Sequence, residues 1–187
     1  MSIFKCNGII LKKSSLNENQ NLITILTYEY GKININYKNT KDQKSLDIWF
    51  EISFETNVKN EKKINTLNNV VIKSQFDYLK SDYETILEYL ETIYLVQRLC
   101  PLNLSLNWIY EIISTINKSV LNKEKLVFSQ LKIMSTLWLL NTEHTDLTIK
   151  KILNFIDKNS IFDILKLKWL SLEQYNLLKW IIKQKLT

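Results

Sequence analysis

Glycine is nearly absent from this chain of 187 residues: there are two, Gly8 and Gly31, beside one proline and one histidine. A phosphate cradle or a nucleophile elbow needs glycine wherever backbone must approach a ligand or turn left-handed, and no GxGxxG, Walker A, GxSxG or HExxH pattern is present. The chain therefore reads as a non-enzyme. Cys6 and Cys100 are too distant for a CxxC metal motif and too few for a disulfide framework, so they read as reduced, buried thiols. His144 stands in the polar run NTEHTD, a loop, with no cysteine pair to complete a zinc site, and no cofactor is expected. No apolar run is long enough to span a bilayer and the start has no signal-peptide core, which predicts a cytoplasmic protein that uses no membrane.

What is abundant is lysine. The chain carries 25 basic and 19 acidic residues, a formal charge of +6 with a pI near 9.1, so anionic partners are favoured. Up to Lys80 there are 12 lysines against 8 acids, and from Ser81 onward 13 basic residues against 11 acids, so the front end is the more cationic. Nothing in the composition points to a small-molecule substrate.

The front end also has the period of strands. Short alternating runs rich in β-branched residues cover Ile3 to Leu11, Leu22 to Tyr28, Lys32 to Tyr37, Ile48 to Phe54 and Ile64 to Ile72, separated by turn formers such as SSLNENQN, NTKDQKS and NVKNEKK. Five short strands suit a small closed barrel, with the OB-fold as the first candidate and an SH3-like barrel reading much the same. After Lys80 the period becomes helical. Ser81 with Glu84 has the spacing of a capping box, Cys100-Pro101 ends the first helix, and further helices are expected at about 106–117, 123–140, 147–157 and 172–185, with a short one at 161–167. Ser171 with Gln174 reads as a second capping box. The fold class is thus α+β: a five-stranded OB-fold barrel over residues 1–78, then an all-α helical bundle over 79–187. Trp108, Trp138, Trp169 and Trp180 read as marking a bundle core, and Glu84, Glu88 and Glu91 as a solvated helix face. Of Trp49 and Phe50, which face opposite ways on a strand, Trp49 is expected to pack.

The run Gly8 to Leu11, then Asn17-Glu18-Asn19, Leu22 to Thr27 and Glu29-Tyr30-Gly31-Lys32 resembles the opening of the bacterial RecO family of DNA repair proteins. That family has a small residue and aliphatics, a polar turn, an aliphatic strand ending in threonine, then an acid, a variable residue, glycine and a basic residue. Tyr37 to Lys41 and Lys44 stand where the family has a basic loop, with Asn39 in place of its usual glycine, and Phe128 to Met134 resembles a late family helix. The four-cysteine zinc site of many members is absent between Asn141 and Thr148. The resemblance implies a recombination mediator that binds single- and double-stranded DNA, anneals strands, engages the C-terminal tail of single-strand-binding protein and works with RecR to load recombinase.

Lysine-rich barrels with exposed aromatic rings suit sequence-tolerant binding of single strands through phosphate neutralisation and stacking. The expected nucleic-acid contacts are Lys12 and Lys13 after the first strand, Lys32, and Lys38, Lys41 and Lys44 around the turn after the third. Tyr30 and Tyr37 are the expected stacking rings. The resemblance places a basic residue at Lys132, the expected contact for an acidic partner tail. Two other readings remain open: a helical protein–protein adaptor whose barrel binds nothing, and an RNA-binding OB-fold protein.

Overall fold

The computed structural model describes residues 3–17, 20–38, 46–57, 65–75, 81–119, 121–167 and 170–186. Among these residues five strands come first: β1 (Ile3–Asn17), β2 (Gln20–Thr27), β3 (Gly31–Lys38), β4 (Glu51–Asn57) and β5 (Asn65–Ser74). Among the described residues six helices follow: α1 (Tyr83–Leu99), α2 (Asn107–Asn117), α3 (Lys123–Thr136), α4 (Leu147–Lys158), α5 (Ile161–Ile164) and α6 (Leu172–Gln184). The strands close into a barrel in the order β1-β2-β3-β5-β4, antiparallel throughout except where β3 meets β5 in parallel at Ile35 and Asn36. This is the OB-fold expected from the strand count.

The chain forms two compact units that are not contiguous in sequence: residues 1–76 with 96–118, and residues 77–95 with 119–187. A single cut near residue 78 therefore differs from the structure by α2 and the last turn of α1, which belong with the barrel. Alternation along the strands sends Cys6, Ile10, Ile23, Ile25, Ile33, Ile35, Tyr37, Ile52 and Phe54 into the barrel interior. Ile9, Leu11 and Leu26 are buried outside that cluster, and α2 packs on β1 and β2 with Ile109, Ile112, Ile113 and Ile116 buried. Each such aliphatic side chain stabilises this layer by about 2 kcal/mol.

A buried carboxylate fixes α2 in place. Glu51 on β4 accepts hydrogen bonds from Tyr110 Oη (2.9 Å), Ser114 Oγ (3.1 Å) and Ser74 Oγ (2.6 Å), with Lys118 Nζ 3.4 Å away. Burial alone would raise its pKa, but the hydroxyl donors and the Lys118 charge outweigh that and hold it below the ordinary value. Trp49, expected on a strand, sits in a turn with φ of 70°, its N–H donating to Ile10 O and its carbonyl accepting from Asn117 Nδ2. The ring packed against the barrel core there is Phe50.

In the second unit α3 is central, packing on α4, α5 and α6, and its residues from Leu126 to Leu131 are all buried. A helix enclosed on several sides tolerates polar residues only with partners inside. Gln130 Nε2 accordingly donates to Glu88 Oε2 (3.0 Å), and the same carboxylate accepts from Tyr175 Oη (2.6 Å) and Lys179 Nζ (2.8 Å). Glu88 is 6% exposed, so the expected solvated face Glu84–Glu88–Glu91 holds a buried hub between two outer acids paired with Lys123 and Lys179.

The cap of α1 is Asp82, whose carboxylate accepts from Thr85 N at 2.7 Å, rather than Ser81. The Ser171–Gln174 capping box is present as read. The tryptophans depart most from expectation: Trp108, Trp138 and Trp180 are exposed, and Trp169 lies outside the described residues. The burying faces of α2 and α6 run through Ile109, Ile112 and Ile116 and through Leu178 and Ile182, and leave Trp108 and Trp180 off them. Trp138 ends α3 in a left-handed turn, φ 59°, with Leu139 N donating to Met134 O and Trp138 N to Ser135 O, which throws its ring out at 95% exposure.

Candidate nucleic-acid interface

The outer face of β1, β2 and β3 is built by register. Lys12, Thr24 and Asn34 lie side by side across the three strands, Ser14, Leu22 and Asn36 form the next row, and Gln20 pairs with Lys38. Thr24 Oγ1 donates to Asn34 Oδ1 at 2.9 Å. The result is a polar face of hydroxyls and amides with exposed lysines at two corners. Neither Lys12 nor Lys38 has a hydrogen bond or ion pair among the described residues.

A bulge in β1 decides which of two neighbouring lysines faces outward. The register shift between Ile10 and Lys12 puts Lys12 opposite Thr24 and Lys13 opposite Ile23. Lys13 thereby turns toward the barrel, and its ammonium donates to Leu46 O at 2.9 Å. Both were expected beyond the end of the first strand, but β1 continues to Asn17 because Ser14 and Ser15 still pair with Leu22 and Asn21.

Lys32 is not available to phosphate. It is 9% exposed, and its Nζ donates to Gln97 O at 2.6 Å, the last turn of α1. Burial lowers its pKa, against a smaller opposing influence from Cys100. The stretch after α1 closes over it: Leu102 bridges to Lys32, and Asn103 N donates to Lys32 O at 2.9 Å. Tyr37 is only 3% exposed inside the barrel, on the same face as Ile33 and Ile35, so it offers no stacking surface. Burial raises its hydroxyl pKa. Tyr30 is half-buried, edge-on to Phe4 with ring centroids 6.4 Å apart. Lys41 and Lys44 lie outside the described residues.

Lys132 serves the fold of the second unit. Its Nζ donates to Ile156 O (3.1 Å) and Asp157 O (3.0 Å), closing the carbonyl end of α4, and burial lowers its pKa. Its charge is engaged where an acidic tail was expected to find it.

The motif that carried the family resemblance has a structural explanation in the β2–β3 hairpin. Thr27 Oγ1 donates to Gly31 O and accepts from Tyr30 N, which ties the turn across its base. Gly31 has φ of 69°, and a Cβ there would stand 1.7 Å from Leu104 O. Gly8 is constrained from the other side, since a Cβ would meet Ile25 Cγ2 at 2.3 Å. Among the described residues no three His, Cys, Asp or Glu side chains converge to hold a metal, and no helix is long and apolar enough to cross a membrane.

Two comparisons bear on this arrangement. Residues 1–76 match the family described as Recombination protein O N terminal. The DNA repair protein RecO of Clostridium acetobutylicum is 33% identical over 89 residues, a stretch that covers 46% of this chain and 36% of that relative. The matched segment is the barrel, including the tied hairpin, and residues 1–76 are therefore similar to the N-terminal domain of RecO proteins.

Proposed function

We propose that the chain is a DNA repair and recombination mediator that works without catalysis, and that the outer face of β1, β2 and β3 holds its DNA. The observation that carries this reading is the polar face cornered by Lys12 and Lys38, whose ammonium groups have no partner among the described residues. Lysines there neutralise phosphates, while Thr24, Asn34 and Asn36 supply hydrogen-bonding groups without reading a sequence. By lowering repulsion between strands, the same charge speeds annealing. Single- and double-stranded DNA, RecR and the tail of single-strand-binding protein are the partners we assign, with recombinase loading as the outcome and the cytoplasm as the place. These assignments rest on the resemblance to RecO and on the similarity to the Clostridium DNA repair protein.

With Tyr37 inside the barrel, stacking contributes little on this face and electrostatics dominates. Affinity for a fluorescent single-stranded oligonucleotide is therefore expected to fall steeply with salt, and Lys12→Ala with Lys38→Ala to flatten the slope by about 1.4, or 0.7 per lost phosphate contact. No binding at low salt would favour the adaptor reading, which draws support from the exposed Trp108, Trp138 and Trp180. A preference for RNA over DNA in competition would favour the RNA-binding reading, because only RNA offers a 2′-hydroxyl.

A further inference from the structure

We propose a second face for single-stranded nucleic acid on α4 and α5, formed by Lys151, Phe155, Lys158 and Phe162. It rests on the DNA reading above but lies in the other compact unit. α4 buries Ile149, Leu153 and Ile156, spaced four and three apart. The same spacing repeated on its exposed side gives Lys151, Phe155 and Lys158, so a ring stands between two cations about 10 Å apart, two helical turns. Phe162 in α5 adds a second ring, 65% exposed.

The lysines of this face differ from most in the second unit. Lys123, Lys150, Lys166 and Lys179 are paired with Glu84, Glu143, Asp163 and Glu88, and Lys132 is held by two carbonyls. Lys151 and Lys158 have no hydrogen bond or ion pair among the described residues. The nearby acid Asp157 accepts from Ser135 Oγ at 2.7 Å, a third of a turn away from the face. Unpaired cations interleaved with exposed rings match a polymer that offers a phosphate and a π-face at each step. An acidic peptide would satisfy the lysines but has no requirement for a ring between them.

The test counts binding sites. With a labelled oligo-dT of about 10 nucleotides, close to the footprint of one OB-fold, the native chain is expected to bind two equivalents. Lys151→Ala with Lys158→Ala is expected to bind one, as is Lys12→Ala with Lys38→Ala, each at an unchanged melting temperature. Phe155→Ala with Phe162→Ala should weaken the second site severalfold without changing its salt slope. One equivalent for the native chain, lost in the Lys12/Lys38 variant and kept in the Lys151/Lys158 variant, would overturn the second face and leave the barrel reading intact. Loss only in the Lys151/Lys158 variant would support the second face and remove the barrel reading. If that variant kept its DNA stoichiometry but lost a synthetic acidic peptide ending in phenylalanine, the face would belong to a protein tail and the inference would be overturned.

Discussion

The barrel interior takes in rings by strand parity, while the helical unit buries Tyr89 and Phe128 but leaves Trp138 and Trp180 outside. Tyr37 and Phe54 lie inside the closed sheet, whereas Trp138, Trp180 and Phe162 stand in solvent. Both units nevertheless treat a buried carboxylate alike, surrounding Glu51 and Glu88 with uncharged donors and a lysine. The difference follows from geometry. A closed barrel has one interior, and period-two alternation delivers every second side chain to it. Short helices around α3 bury only one stripe each, and rings off that stripe stay outside. Ring identity is thus a poor guide to burial in the helical unit and register a good one in the barrel.

The sharpest way to break the barrel side is Gly31→Val. A left-handed β-branched residue with its Cβ driven into the Leu104 carbonyl should cost at least about 3 kcal/mol and unfold the unit in thermal melts, while Lys38→Ala leaves the melt unchanged. Tyr37→Ala should follow, costing about 3–4 kcal/mol by denaturant titration for the interior ring it removes. Glu51→Ala and Glu88→Ala should each cost about 2–4 kcal/mol, because removing the acceptor leaves several buried donors unmatched.

For Glu51 the folded pKa lies below the ordinary 4.5, so its stabilising share is present above that pH and is lost as pH falls through the lower folded value. Melting temperature followed from about pH 7 to about pH 3 should fall less steeply for Glu51→Gln than for the native chain. The smallest effect tests the helical side: Trp138→Gly relieves the left-handed backbone and should raise stability by about 0.5–1 kcal/mol, where burial of the ring would have predicted a large loss.

Much of this was legible from residue order. The five strands and the helices fall near their read positions because alternation and helical period are local signals. What escaped reading depended on contacts between distant residues. Nothing near Lys32 in sequence announces Gln97, and Glu88 meets Gln130, Tyr175 and Lys179 only after folding. Which of Lys12 and Lys13 faces out is set by a bulge that strand propensity does not mark. Tyr37 could have been placed inside from Ile33 and Ile35 alone, since the three share one parity. The polar row Thr24, Asn34 and Asn36 was readable by the same parity once Ile23, Ile25 and Ile35 were taken as interior.

The most direct test of the central claim is to follow backbone amide resonances while adding a single-stranded oligonucleotide to the intact chain. The account predicts shifts concentrated at Lys12, Ser14, Gln20, Leu22, Thr24, Asn34, Asn36 and Lys38, with Gly31 and Lys32 still. Binding that leaves those strands unshifted would contradict it.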